Sequence, residues 1–347
     1  MARFLQIDGS RGEGGGQILR TALALSTVTG QAFEITRIRA NRPVPGLRPQ
    51  HLAALHAAAL VSGARVGGAF DGSPDLRFEP GPLRPGQFQF EIATAGALTL
   101  VLQTVLGPLA RAGGEASRVT VTGGTHVPAS PSYHYLANHW APVVERLGMR
   151  THYRLERAGF YPRGGGAVTA EVQPWSGAGE PLVLEERGTL IAVRGTAGMG
   201  RLKADVAGAL RKAAQERLWE SRRLETAWEE VTVPSASPGS FLLLEVVFEQ
   251  GRAAFGFVGQ KGVRPEVLGD RAARTLLKFL DGEGAVDPHL ADQLAVPMAL
   301  GGKGGRVTTT EVSLHLETVA EIVSLFGIPA RTWGRRGGPG GLEVSPP

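Results

Sequence analysis

The 347-residue chain contains no cysteine. That absence excludes thiol catalysis, thiolate zinc centres, iron–sulfur clusters and disulfides together. Any metal must be held by histidine or carboxylate oxygen, which points to Mg2+ or Mn2+. No apolar run approaches the roughly 18 residues that a membrane span needs. Residues 1–8 lack an apolar signal core because Asp8 arrives too early, so a soluble, cytoplasmic protein with no membrane partner is expected. Lysine is scarce as well: there are five, none before Lys203. The chain up to that point is basic through arginine alone. Arginine makes two-pronged contacts to phosphate and stacks on bases, although an Arg-for-Lys drift of the whole genome would give the same bias. A charged fraction of 20% and a hydrophobic fraction of 42% exclude disorder. The net charge of +5 fits a polyanionic partner without requiring one.

Three stretches of the sequence look alike. Each has a glycine-rich or small-residue entry, an amphipathic helix, a strand, a second helix and another strand. The first helices are expected over residues 17–29, 97–110 and about 290–300, where apolar residues recur at helical spacing, as in Ile18, Leu19, Ala22, Leu23 and Leu25. The second helices close on Gly63, Gly148 and Gly327, each placed for a left-handed cap. His51 stands 12 residues before Gly63, and His315 stands 12 residues before Gly327. Two histidines therefore share a register at a helix start, a natural seat for phosphate; the second copy has Leu136 there, with His134 nearby. A different segment, residues 182–284, interrupts the series and holds four of the five lysines. Its pattern predicts strands over 190–195, 226–233, 241–248 and 253–258 and helices over 203–219 and 264–280. The expected fold is α/β (α+β): three repeated sheet-plus-two-helix units forming one large domain, residues 1–181 and 285–340, with a small inserted α/β domain over 182–284. The Gly/Pro-rich tail, residues 335–347, is expected to be loose.

Four clusters carry chemistry. Residues 8–20 join a strand to a helix through Gly12, Gly14, Gly15 and Gly16, with Arg20 in the helix. The glycines suit close approach to an anion; Glu13 would repel one unless a divalent metal bridged them. The spacing is neither a Walker A loop nor a dinucleotide fingerprint. Residues 39–51 set Arg39, Arg42, Arg48, Gln50 and His51 on a proline-stiffened loop, a donor density suited to phosphate or sugar. Residues 123–131 run from strand to helix and contain His126; with His134 and His139 it fits no usual zinc spacing. Residues 287–293, the Gly301–Gly305 run and His315 form the last cluster.

Taken together, Gly12-Glu13-Gly14-Gly15-Gly16-Gln17-Ile18-Leu19-Arg20, Pro45-Gly46-Leu47 with Gln50-His51, Leu100-Val101-Leu102-Gln103-Thr104, Gly159-Phe160-Tyr161-Pro162, Leu290-Ala291-Asp292-Gln293-Leu294 and His315 resemble the RNA 3′-terminal phosphate cyclase family. The resemblance runs in order along nearly the whole chain. It implies a ligase that uses ATP and Mg2+ or Mn2+ on RNA ending in a 3′-phosphate. A histidine takes AMP from ATP, passes it to the RNA 3′-phosphate, and the 2′-hydroxyl closes a 2′,3′-cyclic phosphate. Carried over by position, His315 would hold AMP; Gln103, His289, Leu290, Ala291, Asp292 and Gln293 would contact ATP, with Pro131 against the adenine. Glu13 would hold the metal, and Arg20, Arg39, Arg42, Gln50 and His51 would bind phosphates. The sequence departs from the family at His289, where Tyr is usual, and at Val127 and Val319, where Asn is common. Rival readings are a non-catalytic cyclase-like ribosome-assembly factor, which would lack the nucleophile, and an enolpyruvyl transferase of similar repeat fold, which would need no adenylated histidine.

Overall fold

A computed structural model describes residues 4–177 and 179–346. The first unit is β1 (Leu5–Asp8), α1 (Gly16–Thr29), β2 (Phe33–Thr36), α2 (Pro49–Ser62), β3 (Arg65–Gly67) and β4 (Leu76–Glu79). Its sheet order is β1-β2-β4-β3, with β1 and β2 parallel and the other pairs antiparallel. The second unit repeats this with β5 (Gln87–Glu91), α3 (Leu98–Arg111), β6 (Ser117–Gly123), a π-helical segment Tyr135–Trp140 leading into α4 (Ala141–Arg146), β7 (Thr151–Arg157) and β8 (Gly166–Val172). Its sheet order is β5-β6-β8-β7.

The third unit opens with β9 (Leu182–Leu184) and is then interrupted. The interruption comprises β10 (Leu190–Gly200), α5 (Val206–Arg222), β11 (Ala227–Thr232), β12 (Gly239–Phe248), β13 (Arg252–Val258) and α6 (Pro265–Leu280). The unit resumes with α7 (Pro288–Gly301), β14 (Gly305–Thr309), α8 (Leu314–Leu325), β15 (Ala330–Gly334) and β16 (Gly340–Val344), and its sheet order is β15-β16-β14-β9. The three sheets thus share one topology. Residues 182–184, read above as the start of the insert, pair in parallel with β14 and form the third unit's first strand.

The tail contains a strand, contrary to expectation. β16 lies inside the sheet between β15 and β14. Its glycines serve close packing: a Cβ on Gly341 would collide with the Val307 carbonyl and the Trp333 ring. Glycine here removes bulk between neighbours, where the sequence had suggested looseness.

Packing follows from the helical periodicity. Ile18, Leu19, Ala22, Leu23 and Leu25 of α1 are essentially inaccessible, and each large apolar side chain so buried stabilises the fold by about 1.5–3 kcal/mol. α1, α3 and α7, the first helices of the three units, pack on one another. The sheets close over them to make one continuous apolar core. The insert has a separate core, built from α5, α6 and the inner face of the sheet β11-β10-β12-β13. No helix among the described residues is long and apolar enough to cross a membrane.

Candidate active site

The helix starts of all three units converge on one cavity of about 860 Å³. The loop between β1 and α1 supplies Glu13, and the first turns of α1 supply Gly16, Gln17 and Arg20. Gly12 and Gly14 adopt left-handed φ values of 55° and 56°, conformations that other residues adopt only with strain. A Cβ on Gly12 would strike the Thr318 hydroxyl, so the loop lies directly against α8. That close approach brings Glu13 to His315: Glu13 Oε2 is 2.6 Å from His315 Nε2 and 2.8 Å from the Arg42 guanidinium. The acid that looked misplaced in a phosphate loop is thus the partner of the histidine and of one arginine.

His315 lies one residue inside α8, whose N-cap Ser313 accepts from the Leu316 N–H. It is half-exposed and faces the cavity. Burial, with His289 and Arg20, outweighs the pull of Glu13 and holds His315 below its ordinary pKa. The ring is therefore neutral near pH 7 and carries a free lone pair. His51 occupies the matching place in α2. It is buried, and its Nδ1 accepts from the Arg48 N–H at 3.1 Å. Burial first, then Arg20, Arg39 and Arg48, drive its pKa down to about 3. With Nδ1 accepting, a neutral His51 keeps its proton on Nε2, packed against Gly16 and near Arg20.

Cationic and polar groups complete the walls. Burial pulls Arg20 down to about 10, against the attraction of Asp292. Arg39, itself left-handed at φ 55°, is tied by its guanidinium to the carbonyls of Val44 and Gly46. Gln50 lies in the first turn of α2. Gln103 of α3 donates to Gln293 of α7 at 2.6 Å, which joins two units across the cavity. Pro131 lines the wall, and its carbonyl accepts from Thr99. His289 and Asp292 face the same space. Burial, then the charges of Asp287 and Glu13, push the Asp292 carboxyl well above the usual range.

Two further residues of the run His289 to Gln293 have buried side chains. Leu290 and Ala291 are fully buried in the apolar core and their side chains do not line the cavity. On a helix, residues adjacent in sequence to His289 and Asp292 must point to other faces, and here that face is the core. The histidines of the second unit form no metal trio either. His126 Nε2 and His134 Nδ1 share a hydrogen bond of 2.8 Å, while His139 pairs with Asp287 at 2.9 Å. Among the described residues no cluster of three His, Cys, Asp or Glu side chains suits a metal ion.

Sequence reasoning missed Gln17, whose buried Nε2 has no partner among the described residues, and the insert's own wall. Ala254, Gly256 and Val258 of β13 line the cavity. Their alternation carries the signal: Ala254 N–H donates out of the sheet to Asp287 Oδ2, so residues two and four further on present their backbone groups on the same side.

The sequence profile of the RNA 3′-terminal phosphate cyclase family matches residues 11–329. The chain belongs to that family. Among curated members, the RNA 3′-terminal phosphate cyclase of Ralstonia nicotianae is 44% identical over 325 residues, 94% of this chain and 92% of that protein. The cyclase of Thermococcus gammatolerans is 42% identical over 342 residues, 98% of both chains. That of Koribacter versatilis is 42% identical over 326 residues, 93% of this chain and 90% of the relative. The cyclase-family match thus runs from the loop after β1, through the second repeat and the insert, to the loop before β15.

Proposed function

We propose that the chain is an ATP-dependent RNA 3′-phosphate cyclase that works through a histidine-bound AMP. The observation that carries the reading is His315: a neutral imidazole at a helix start, paired to Glu13, facing a cavity walled by Arg20, Arg39 and Arg42. A neutral imidazole is a competent nucleophile toward a phosphoryl centre. In the first step a ring nitrogen attacks the α-phosphorus of ATP, a P–N bond forms, and pyrophosphate leaves. A neutral ring has its lone pair on one nitrogen only. A neutral ring that donates its Nε2–H to Glu13 as a hydrogen bond attacks through Nδ1; attack through Nε2 requires the other tautomer, with the proton on Nδ1 and Nε2 turned away from the Glu13 oxygen.

In the second step an oxygen of the RNA 3′-phosphate attacks the same phosphorus and releases His315. In the third, the 2′-hydroxyl attacks the activated 3′-phosphorus and AMP departs, leaving the 2′,3′-cyclic phosphate. The order is forced by chemistry, since an unactivated phosphate has no acceptable leaving group. The vicinal hydroxyl supplies proximity and makes RNA obligatory, because DNA lacks it. Arg20, Arg39 and Arg42 would stabilise the charge that shifts onto the departing phosphates.

Glu13 fits the holding of a divalent ion. Mg2+ binds through one or two carboxylates with substrate phosphates and water supplying the remainder, and Glu13 is a carboxylate that shares the cavity with Arg20, Arg39 and Arg42. The ion would neutralise ATP phosphates there. The test is covalent labelling with α-labelled ATP. Wild type should acquire an acid-labile, hydroxylamine-sensitive AMP, and the label should be absent from His315→Ala. A label that survives the substitution, or no label on wild type, removes the mechanism.

A further inference from the structure

One end of the insert's sheet abuts the cavity. β10 and β11 run parallel, while β12 runs antiparallel to both β10 and β13. β10, β11 and β13 therefore all finish at the same end, where β12 begins. Val258, the last residue of β13, lines the cavity. A hairpin from the second unit packs on this end: Ala236 N–H donates to the Ala158 carbonyl, and Ser237 Oγ donates to the carbonyls of Phe160 and Gly164.

The loops leaving that end carry Arg201 and Lys203 after β10, and Lys261 and Arg264 after β13; the hairpin adds Arg163. All five are exposed, and among the described residues none stands within ion-pair distance of a carboxylate. The nearby Asp205 is spent on capping α5, where it accepts from the Gly208 N–H. Arg201 gives one N–H to the Ala236 carbonyl. The contrast with the first unit is direct. Arg37, Arg42 and Arg48 are each neutralised, by Asp8, Glu13 and Asp71. Strands about 4.8 Å apart place the ends of β10 and β13, two strands apart, about 10 Å from each other. Tyr161, 68% exposed, stands in the hairpin beside them.

We propose that this face is the track for the single-stranded RNA upstream of the 3′-terminal phosphate. The cations would meet successive phosphates, and Tyr161 would stack beneath an unpaired base, the pairing of groups that binds single strands without reading sequence. The identity of the polyanion rests on the cyclase reading. The insert thereby gains a role: it supplies substrate affinity beside a cavity whose chemistry belongs to the three repeats.

The test uses the charge-reversed double variant Lys261→Glu/Arg264→Glu and, separately, Tyr161→Ala. Substrates are an RNA of about ten nucleotides and a dinucleotide, each ending in a 3′-phosphate. For the longer RNA the double variant should raise KM about tenfold at low salt with kcat retained. The salt dependence of its binding should fall by about one unit per cation lost. KM for the dinucleotide and self-labelling with AMP should stay at wild-type values. An unchanged KM for the longer RNA, or equal changes for both substrates, overturns the proposal. Fluorescence anisotropy of the longer RNA without ATP separates the two readings. If wild type binds RNA and the double variant does not, the track stands even where no cyclic product forms. If both bind equally, the track fails even where cyclisation proceeds.

Discussion

Gly16→Ala should separate the fold from the site. Gly16 opens α1 with an ordinary helical backbone, and alanine there would gain about 1 kcal/mol of helix propensity. The added Cβ, however, would overlap His51 Nε2 and stand 2.8 Å from an Arg20 guanidinium nitrogen. His51 cannot simply swing away, because its Nδ1 is held by the Arg48 N–H and the ring is buried. Forcing a methyl into such a contact costs about 1–3 kcal/mol, and a lost hydrogen bond adds about 1 kcal/mol. Set against the helical gain, the net loss is about 1–3 kcal/mol. Reaching ordinary contact distance needs a shift of about 1 Å in His51 or Arg20, and displacement on that scale costs about 100-fold in rate. The expected result is a folded protein whose single-turnover AMP labelling falls about 100-fold. Urea unfolding measures the stability loss and labelling from α-labelled ATP measures the rate. Labelling at the wild-type rate would refute the placement of His51 and Arg20 at the phosphates. So would a rate loss fully accounted for by the unfolded fraction.

Other outcomes follow from the same geometry. Glu13→Gln removes a charged partner from His315 and Arg42; a charge-assisted bond of about 1.5–3 kcal/mol translates into a 10- to 100-fold slower labelling step, read in a quench-flow time course. Because His315 must be neutral and its pKa lies below the ordinary 6.5, the labelling rate should be flat through pH 7–8. It should fall only as pH drops below the usual histidine range, and a midpoint at or above 6.5 in the single-turnover profile would contradict the assignment. His51 is neutral in the folded state down to a pKa of about 3, against 6.5 when unfolded. The unfolded chain therefore binds the extra proton, and the stability this group contributes is present above pH 6.5 and lost as pH falls toward 3; His51→Gln should flatten that part of a urea-midpoint-against-pH curve. Asp287→Asn leaves His139 Nε2 and the Ala254 N–H without the charged acceptor they share. A hydrogen bond to a buried charge contributes about 1.5–3 kcal/mol, and urea unfolding should show its loss as a lower midpoint.

Much of this architecture was written in local pattern. The glycines at positions 63, 148 and 327 adopt the left-handed caps that their places after apolar helices required, and the matched spacing of His51 and His315 put both at helix starts. Local pattern fails where a contact is made across the fold. Glu13 read as an acid in the wrong place because its partners lie 29 and 302 positions away, at Arg42 and His315. Gly340 and Gly341 read as a loose tail because nothing in sequence says that Val307 and Trp333 press on them. The run His289 to Gln293 came as a block from the family resemblance, whereas a helix sorts adjacent side chains onto different faces, here with Leu290 and Ala291 in the core. The insert posed the hardest case. Its apolar alternation identifies β13 as a strand, but whether that strand's free edge faces solvent or the cavity depends on Asp287, from the third repeat, capturing the Ala254 N–H. That one bond also shows why the insert need not carry a reacting group to matter. Asp287 caps α7 through the N–H groups of His289 and Leu290 and also accepts from His139 of the second unit. The helix that offers His289, Asp292 and Gln293 to the cavity is therefore fixed at its origin by the second unit and the insert together, and its position cannot be derived from any one of the three repeats alone.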